Sequence, residues 1–205
     1  MANALRSNLL QTRTLHRGAP FNVVQTTVGS PRRGEAEAFI RDIFARHYNA
    51  EVPAFAPNLM MIESEGRIVA ATGWRCAGNE PLYLENYLDT PIEVAMARLA
   101  GQPVRREQIV EVGNLATARP GASLDVILTL ARHLDQLGYK WVVFTATSTL
   151  VGIFSRLRLP LLALAHANPS RLGGEAAAWG SYYETEPIVV AGKIRIALEC
   201  AARHE

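Results

Sequence analysis

Residues Gln108 to Phe154 constrain the fold more than any other stretch of the chain. They read as a buried strand, a turn, an amphipathic helix, a second buried strand and a further helix. A strand–helix–strand order needs a crossover connection, so the two strands must lie parallel in one sheet. The first strand is Ile109-Val110-Glu111-Val112-Gly113-Asn114-Leu115-Ala116, and one acid, Glu111, breaks its apolar run. A carboxylate among Val and Ile is costly to bury unless it is paired or neutral. Burial also raises a carboxyl pKa, and a general base working near neutral pH needs that shift. Glu111 therefore marks a candidate site without naming its substrate.

The flanking segments extend this block into an α/β chain with a mixed central sheet flanked by helices. Phe21 to Val28 is rich in β-branched residues and reads as a strand. Glu35 to Tyr48 carries Phe39, Ile43, Phe44 and Tyr48 at helical spacing. Leu59–Ile62 and Ile68–Thr72 form a hairpin through Glu65-Gly66. Pro91 to Ala100 is a helix with a proline start and Gly101 beyond its end. Within the crossover, Ser123 reads as an N-cap, Leu124, Ile127, Leu128, Ala131 and Leu134 form the apolar face, and Gly138 stops the helix. Trp141–Thr147 is the second interior strand and Leu150–Leu157 a short helix ending before Pro160. Leu161–Ala165 reads as a strand, Pro169–Ala178 as loop, Trp179–Tyr183 as extended and Lys193–Ala202 as helix.

At 205 residues, with 49% apolar and 20% charged residues, the chain fits one domain with a real core, spanning residues 21–205 after a mobile arm at 1–20. A net charge of +2 gives no electrostatic case for binding nucleic acid. No apolar run approaches the ~18 residues of a membrane-spanning helix. Cys76 and Cys200 make neither a CxxC pair nor a disulfide framework, so a reduced, cytoplasmic setting is the default. His16, His47, His133, His166 and His204 show no metal-ligand spacing, so no metal site is expected, and His133 reads as ordinary helix surface.

Four runs carry a resemblance. Tyr83-Leu84-Glu85-Asn86-Tyr87-Leu88-Asp89, the Glu111 strand, Trp141-Val142-Val143-Phe144-Thr145-Ala146-Thr147 and Trp179-Gly180-Ser181-Tyr182-Tyr183 resemble, in order, the bacterial thermostable hemolysin family. The resemblance covers roughly residues 35 to 192. That family name records a haemolysis phenotype and not a mechanism. More remotely, the pattern is similar to acyl-homoserine-lactone synthases and to GNAT acyltransferases. The synthases carry Gly-x-Arg at a strand end and Glu-x-x-Arg on the next strand. Here Gly73-Trp74-Arg75 and Glu111-Val112-Gly113-Asn114 stand at those places, with Asn114 where the family has Arg. The resemblance implies a GNAT-like sheet whose central parallel strands splay to admit an acyl thioester. It also implies a pyrophosphate held by amides at the next helix start, here Arg119-Pro120-Gly121-Ala122-Ser123. No cofactor would be permanently bound. Acyl-coenzyme A or an acyl-carrier protein would serve as donor and a small-molecule amine as acceptor.

Each candidate has a plainer alternative. Glu111 is a general base, or a structural acid paired with Arg75 or Arg105. Arg75 holds an acceptor carboxylate, or is a solvated strand-end arginine. Glu85 and Asp89 orient an acceptor or are structural, since two acids without histidines make a poor metal signature. Asn114 contacts the thioester or acceptor, or satisfies neighbouring backbone, and Gly113 marks a bulge or a close ligand approach. Arg119, Gly121, Ala122 and Ser123 form a phosphate cradle, or Ser123 simply caps its helix. Arg156 and Arg158 meet donor phosphates or snorkel from an apolar helix. Tyr182 or Tyr183 protonates the thiolate leaving group, or both pack. Cys76 lacks any neighbour that argues for a nucleophile. The expected activity is transfer of an acyl, most naturally a fatty-acyl, group from a thioester to an amine. The alternatives are a membrane-acting toxin and a catalytically inactive acyl-binding module.

Overall fold

The parallel crossover is present, and it sits inside a larger sheet. A computed structural model describes residues 13–14, 20–118 and 122–203. In chain order the strands and helices are β1 (Arg13–Thr14), β2 (Pro20–Thr27), α1 (Arg33–Tyr48), β3 (Asn58–Ser64), β4 (Arg67–Cys76), α2 (Ile92–Ala100), β5 (Ile109–Thr117), α3 (Ala122–Gln136), β6 (Trp141–Ala146), α4 (Ser148–Arg156), β7 (Leu161–His166), β8 (Ile188–Lys193) and α5 (Ile194–Ala202). Shorter 3-10 turns lie at Tyr83–Tyr87, Arg106–Gln108, Pro169–Trp179 and Tyr182–Thr185. The eight strands are ordered β1-β2-β3-β4-β5-β6-β8-β7. β5 and β6 pair in parallel, and the other neighbours pair antiparallel. Arg13–Thr14 of the N-terminal arm bridges to Pro20 and Phe21, and the rest of that arm lies outside the described residues.

Helices cover both faces of the sheet, so the inner strands are apolar without alternation. On β3, Leu59 and Met61 pack beneath α1 with Ile40, Phe44, Ala71 and Ala116. The intervening Met60 faces the other way, into a cluster of Val110, Leu130, Leu134 and Ile194 from β5, α3 and α5. On β5 the same alternation sets Ile109 against the α2 side, with Ile92, Met96 and Val143. Glu111, two residues on, shares that face. Its carboxylate accordingly meets the turn before α2 rather than the α3 layer, and a one-residue slip would reverse this.

Several local expectations are corrected. Ser123 is not the N-cap of α3, because the helix already begins at Ala122 and places Ser123 in its first turn. Trp179–Tyr183 is not extended. The 3-10 turn Pro169–Trp179, folded where a loop was expected, gives way at Gly180 to the turn Tyr182–Thr185. The sequence reading also omitted β8, which inserts between β6 and β7. Its Ile188-Val189-Val190-Ala191 run, between Pro187 and Gly192, has the β-branched content of a buried strand. Among the described residues no helix is long and apolar enough to cross a membrane.

Candidate active site

β5 and β6 stay together for three residue pairs and then part. Their pairs are Ile109↔Trp141, Val110↔Val142 and Glu111↔Val143. Beyond Glu111, β5 runs on to Thr117 along β4, and β6 runs on to Ala146 along β8. No ladder pair joins the two strands there among the described residues. A bulge on β5 falls just beyond this point. Ala71 faces Ala116 and Gly73 faces Gly113, which leaves Asn114 and Leu115 opposite Thr72. Asn114 takes the left-handed conformation, φ 53°, which Asn tolerates better than most side chains. The expected bulge is therefore real, but Asn114 and not Gly113 carries its strained backbone.

The opening leads into a cavity of about 420 Å³. On one side of the sheet its wall includes Arg75, Tyr83, Glu111, Trp179 and Tyr182. On the other side it is apolar, with Leu130, Leu134, Phe144, Phe154, Ile194 and Ala197 from α3, β6, α4 and α5. The space thus passes through the sheet where β5 and β6 separate. Gly113 lines it, and a Cβ added there would meet no atom within 4 Å.

Glu111 is 7% exposed. Its Oε2 accepts the Tyr83 amide at 2.8 Å and its Oε1 the Leu84 amide at 2.9 Å. Arg75 Nε lies 3.4 Å from Oε2, so Arg75 and not Arg105 is the charged neighbour. Burial pushes the carboxyl pKa up, and Arg75 and the two amides pull against that rise. The acid is thus fixed in direction while keeping an affinity for a proton. Gly73, two residues before Arg75, admits nothing larger: a Cβ would lie 2.8 Å from Leu59 Cδ2 and 2.9 Å from Ala56 Cβ.

Aromatic rings close the Glu111 side. Tyr48 and Tyr182 stand edge to face at 5.3 Å, Trp179 lies 5.7 Å from Tyr182 and 6.0 Å from Tyr83, and Tyr182 lies 5.3 Å from Tyr183. Trp179 Nε1 donates to the Tyr83 hydroxyl at 3.0 Å, and the Tyr87 and Tyr183 hydroxyls share a hydrogen bond of 2.5 Å. Burial raises the pKa of the Tyr182 hydroxyl well above its usual value, and pushes that of Tyr183 up to about 12. Both therefore hold their protons at any physiological pH. Tyr183 spends its hydroxyl on Tyr87, whereas the Tyr182 hydroxyl has no such partner among the described residues. The layer is pinned to the end of α1: Ser181 N donates to Tyr48 O at 2.8 Å. Gly180, at φ 52° and ψ −129°, is needed for that approach. A Cβ there would lie 2.6 Å from Asn49 O and closer still to Tyr48 O.

Other candidates lie elsewhere or are already engaged. Glu85 is not in the cavity wall. It accepts the Leu82 and Ile92 amides at 2.9 and 3.0 Å and both terminal nitrogens of Arg106 at 2.6 and 2.7 Å. Burial favours its neutral form, but Arg106 and the two amides outweigh that and hold its pKa at about 2. It is the brace of the turn that grips Glu111. Asp89 is exposed and pairs with Arg171. Asn114 lines the cavity, but its side chain accepts Ala56 N at 3.1 Å and donates to Ala54 O at 3.3 Å, tying the preceding loop to the bulge. Arg156 is exposed in the last turn of α4 and is absent from the wall. Ser123 lines the cavity with its Oγ 3.5 Å from Thr117 Oγ1. Arg119, Pro120 and Gly121 lie outside the described residues, and of Ala122 only the backbone is described. His133 is not ordinary surface, since it is half-buried with its ring 5.4 Å from Trp74 and hydrogen-bonded to Gln25. Sequence reasoning missed Tyr48 and Trp179 as wall residues. Their signal was a concentration of rings, which a packed core produces equally well.

The fold has known counterparts. The acyl-homoserine-lactone synthase LasI superposes with a TM-score of 0.59 at 15% identity, over 88% of this chain and 95% of that one. FeeM, an N-acyl amino acid synthase from uncultured soil microbes, gives 0.57 at 13% identity, over 85% and 92%. MesI, a CoA-dependent acyl-homoserine lactone synthase, gives 0.56 at 15%, over 89% and 94%. The chain has the same mixed α/β fold as these proteins. Comparison with curated proteins by sequence finds no match. The family model described as thermostable hemolysin matches residues 26–198, and the chain belongs to that family.

Proposed function

We propose that this protein is an N-acyltransferase that moves an acyl group from a thioester to an amine. The observation that carries the reading is the parting of β5 and β6 at the Glu111↔Val143 pair, with an apolar space running through the gap. A closed sheet would offer an extended acyl chain no route past the buried acid. Structures of similar fold include proteins described as acyl-homoserine-lactone synthases and an N-acyl amino acid synthase, which accords with acyl transfer. Acyl-coenzyme A and acyl-carrier protein present the same pantetheine thioester, and the cavity suits that shared arm.

In this reading the acyl chain lies among the α3, α4 and α5 side chains, and the thioester carbonyl sits at the parted strands. Backbone amides of β5 beyond Glu111, released from β6, polarise that carbonyl. The amine approaches from the aromatic side. Glu111, directed by the Tyr83 and Leu84 amides, takes its proton directly or through water. The nitrogen attacks the carbonyl carbon, the C–S bond breaks with its electron pair on sulfur, and the Tyr182 hydroxyl protonates the thiolate. Ser123 and the residues before it, together with Arg156, are the proposed phosphate contacts.

The test is Glu111→Gln in purified protein, followed by thiol release from an acyl-coenzyme A across pH. A base must be deprotonated to act, and burial raises the pKa of Glu111. Wild-type kcat/KM should therefore climb as pH rises through a value above 4.5, the ordinary carboxyl figure. The Gln variant should lose about a hundredfold or more in rate, and that climb with it. Equal turnover at every pH would remove Glu111 as the base.

A further inference from the structure

The acid and the arginine in the cavity are neighbours by register. Arg75 on β4 faces Glu111 on β5 directly across the sheet. The Arg75 side chain is 17% exposed, and it stands 3.4 Å from Glu111 and 3.5 Å from Glu80. Both are charge contacts longer than a good charge-assisted hydrogen bond. Among the described residues no hydrogen bond takes up any N–H of its guanidinium. Arg106 shows what a satisfied arginine looks like in the same region. It donates to Ala77 O at 2.7 Å, to both oxygens of Glu85, and to Glu93 at 2.8 Å. Arg75 is less exposed than Arg106, 17% against 26%, and holds its donors unspent in the cavity wall. Water can serve those donors while the site is open. Once a ligand displaces that water, each dry donor costs free energy.

We infer that the acceptor is an α-amino acid, its carboxylate held by Arg75 and its amino group turned toward Glu111. This rests on the acyl-transfer reading and narrows it. A planar guanidinium with free parallel N–H groups matches a carboxylate in bidentate geometry. Next to it, Glu111 calls for a positive or proton-donating group. A ligand must therefore present an anion and an amine side by side, as the α-carboxylate and α-ammonium of an amino acid do. The zwitterion brings no net charge into a wall where Arg75 and Glu111 already balance. A simple amine satisfies Glu111 alone and brings no acceptor for the Arg75 N–H groups. The acceptor-side wall also carries Phe44, His47, Tyr48, Tyr83, Trp179 and Tyr182, a mostly aromatic lining that suits an apolar or aromatic side chain.

The chemistry balances without a further reactant. The α-ammonium gives one proton to Glu111, which passes it to solvent. Its nitrogen forms the C–N bond as the C–S bond breaks, and the second proton leaves the nitrogen through solvent as Tyr182 supplies the thiolate and is reprotonated. The products are an N-acyl amino acid, a free thiol and one proton.

The test compares acceptors matched in all but the carboxylate: phenylalanine against phenethylamine, and alanine against ethylamine, with an acyl-coenzyme A as donor and thiol release as readout. The wild-type protein should favour each amino acid over its amine by about tenfold to a hundredfold in kcat/KM, the worth of a charged hydrogen-bonded pair. In Arg75→Gln, checked for folding by its melting temperature, that ratio should fall toward one. Equal use of amine and amino acid by the wild type, which needs no variant, would overturn the inference. So would a preference that survives Arg75→Gln. If no amine of either kind releases thiol, acyl transfer to nitrogen itself fails, a result distinct from loss of the carboxylate preference.

Discussion

Replacing Glu85 by alanine tests how the Glu111 site is held together. The Glu85 carboxylate binds the amides of Leu82 and Ile92 and the guanidinium of Arg106. These contacts fix both ends of the segment that presents the Tyr83 and Leu84 amides to Glu111. The variant orphans two amides and leaves Arg106 with Glu93 and Ala77 O. Breaking a largely buried, hydrogen-bonded ion pair costs about 3–5 kcal/mol. The Glu85 side chain is 18% exposed, so water recovers part of this, and about 3 kcal/mol is expected. The acidity of Glu85 gives an independent figure. Its pKa falls from 4.5 unfolded to about 2 folded, which at about 1.4 kcal/mol per unit is about 3 kcal/mol, or about 2 after discount for solvent screening. Because the folded pKa is depressed, that stability is fully present above pH 4.5 and is lost as pH falls through about 2. Urea unfolding followed by tryptophan fluorescence reads both effects. Glu85→Ala should be less stable by about 3 kcal/mol at pH 7, with the gap to wild type narrowing as pH drops below 4.5. A loss under about 1 kcal/mol, or a gap indifferent to acid, would refute the assignment of Glu85 as the brace.

Two further outcomes follow from the aromatic layer. Gly180→Ala forces a Cβ against Tyr48 O and Asn49 O and should cost about 2–4 kcal/mol, with a lower Tm and altered Trp179 emission; an unchanged Tm would contradict the docking described. Tyr87→Phe and Tyr183→Phe each orphan the other's hydroxyl, so the double variant should be about 1 kcal/mol more stable than additivity allows, and strict additivity in urea would deny the bond.

The crossover, its parallel pair and the buried acid were legible because period, propensity and turn residues agree across residues 108–154. The partners of that acid were less so. Arg75 and Arg105 were equal candidates on paper, and register chose Arg75 by setting it opposite Glu111. Glu85 and Asn114 each carried a binding reading and a structural one, and the sequence did not show which backbone groups they reach. Both satisfy backbone tens of residues away in the chain or within a turn, which no local pattern reveals. Ser123 falls at the second helical position rather than at the cap, within the usual margin at a helix end. β8 escaped because Gly192 and the following helix blurred a short apolar run, yet without it β6 would lack its second neighbour.

Binding of an acyl-pantetheine, the arm common to both carriers, to wild type and to Gly113→Val tests the parted sheet most directly. Valine suits a strand, and a Cβ at this position meets no protein atom within 4 Å, so the added bulk is directed at the gap. Titration calorimetry should show the wild type taking up the thioester and the variant, folded to the same Tm, losing at least about tenfold in affinity. Equal affinity in the two proteins would mean that the thioester does not lie between β5 and β6.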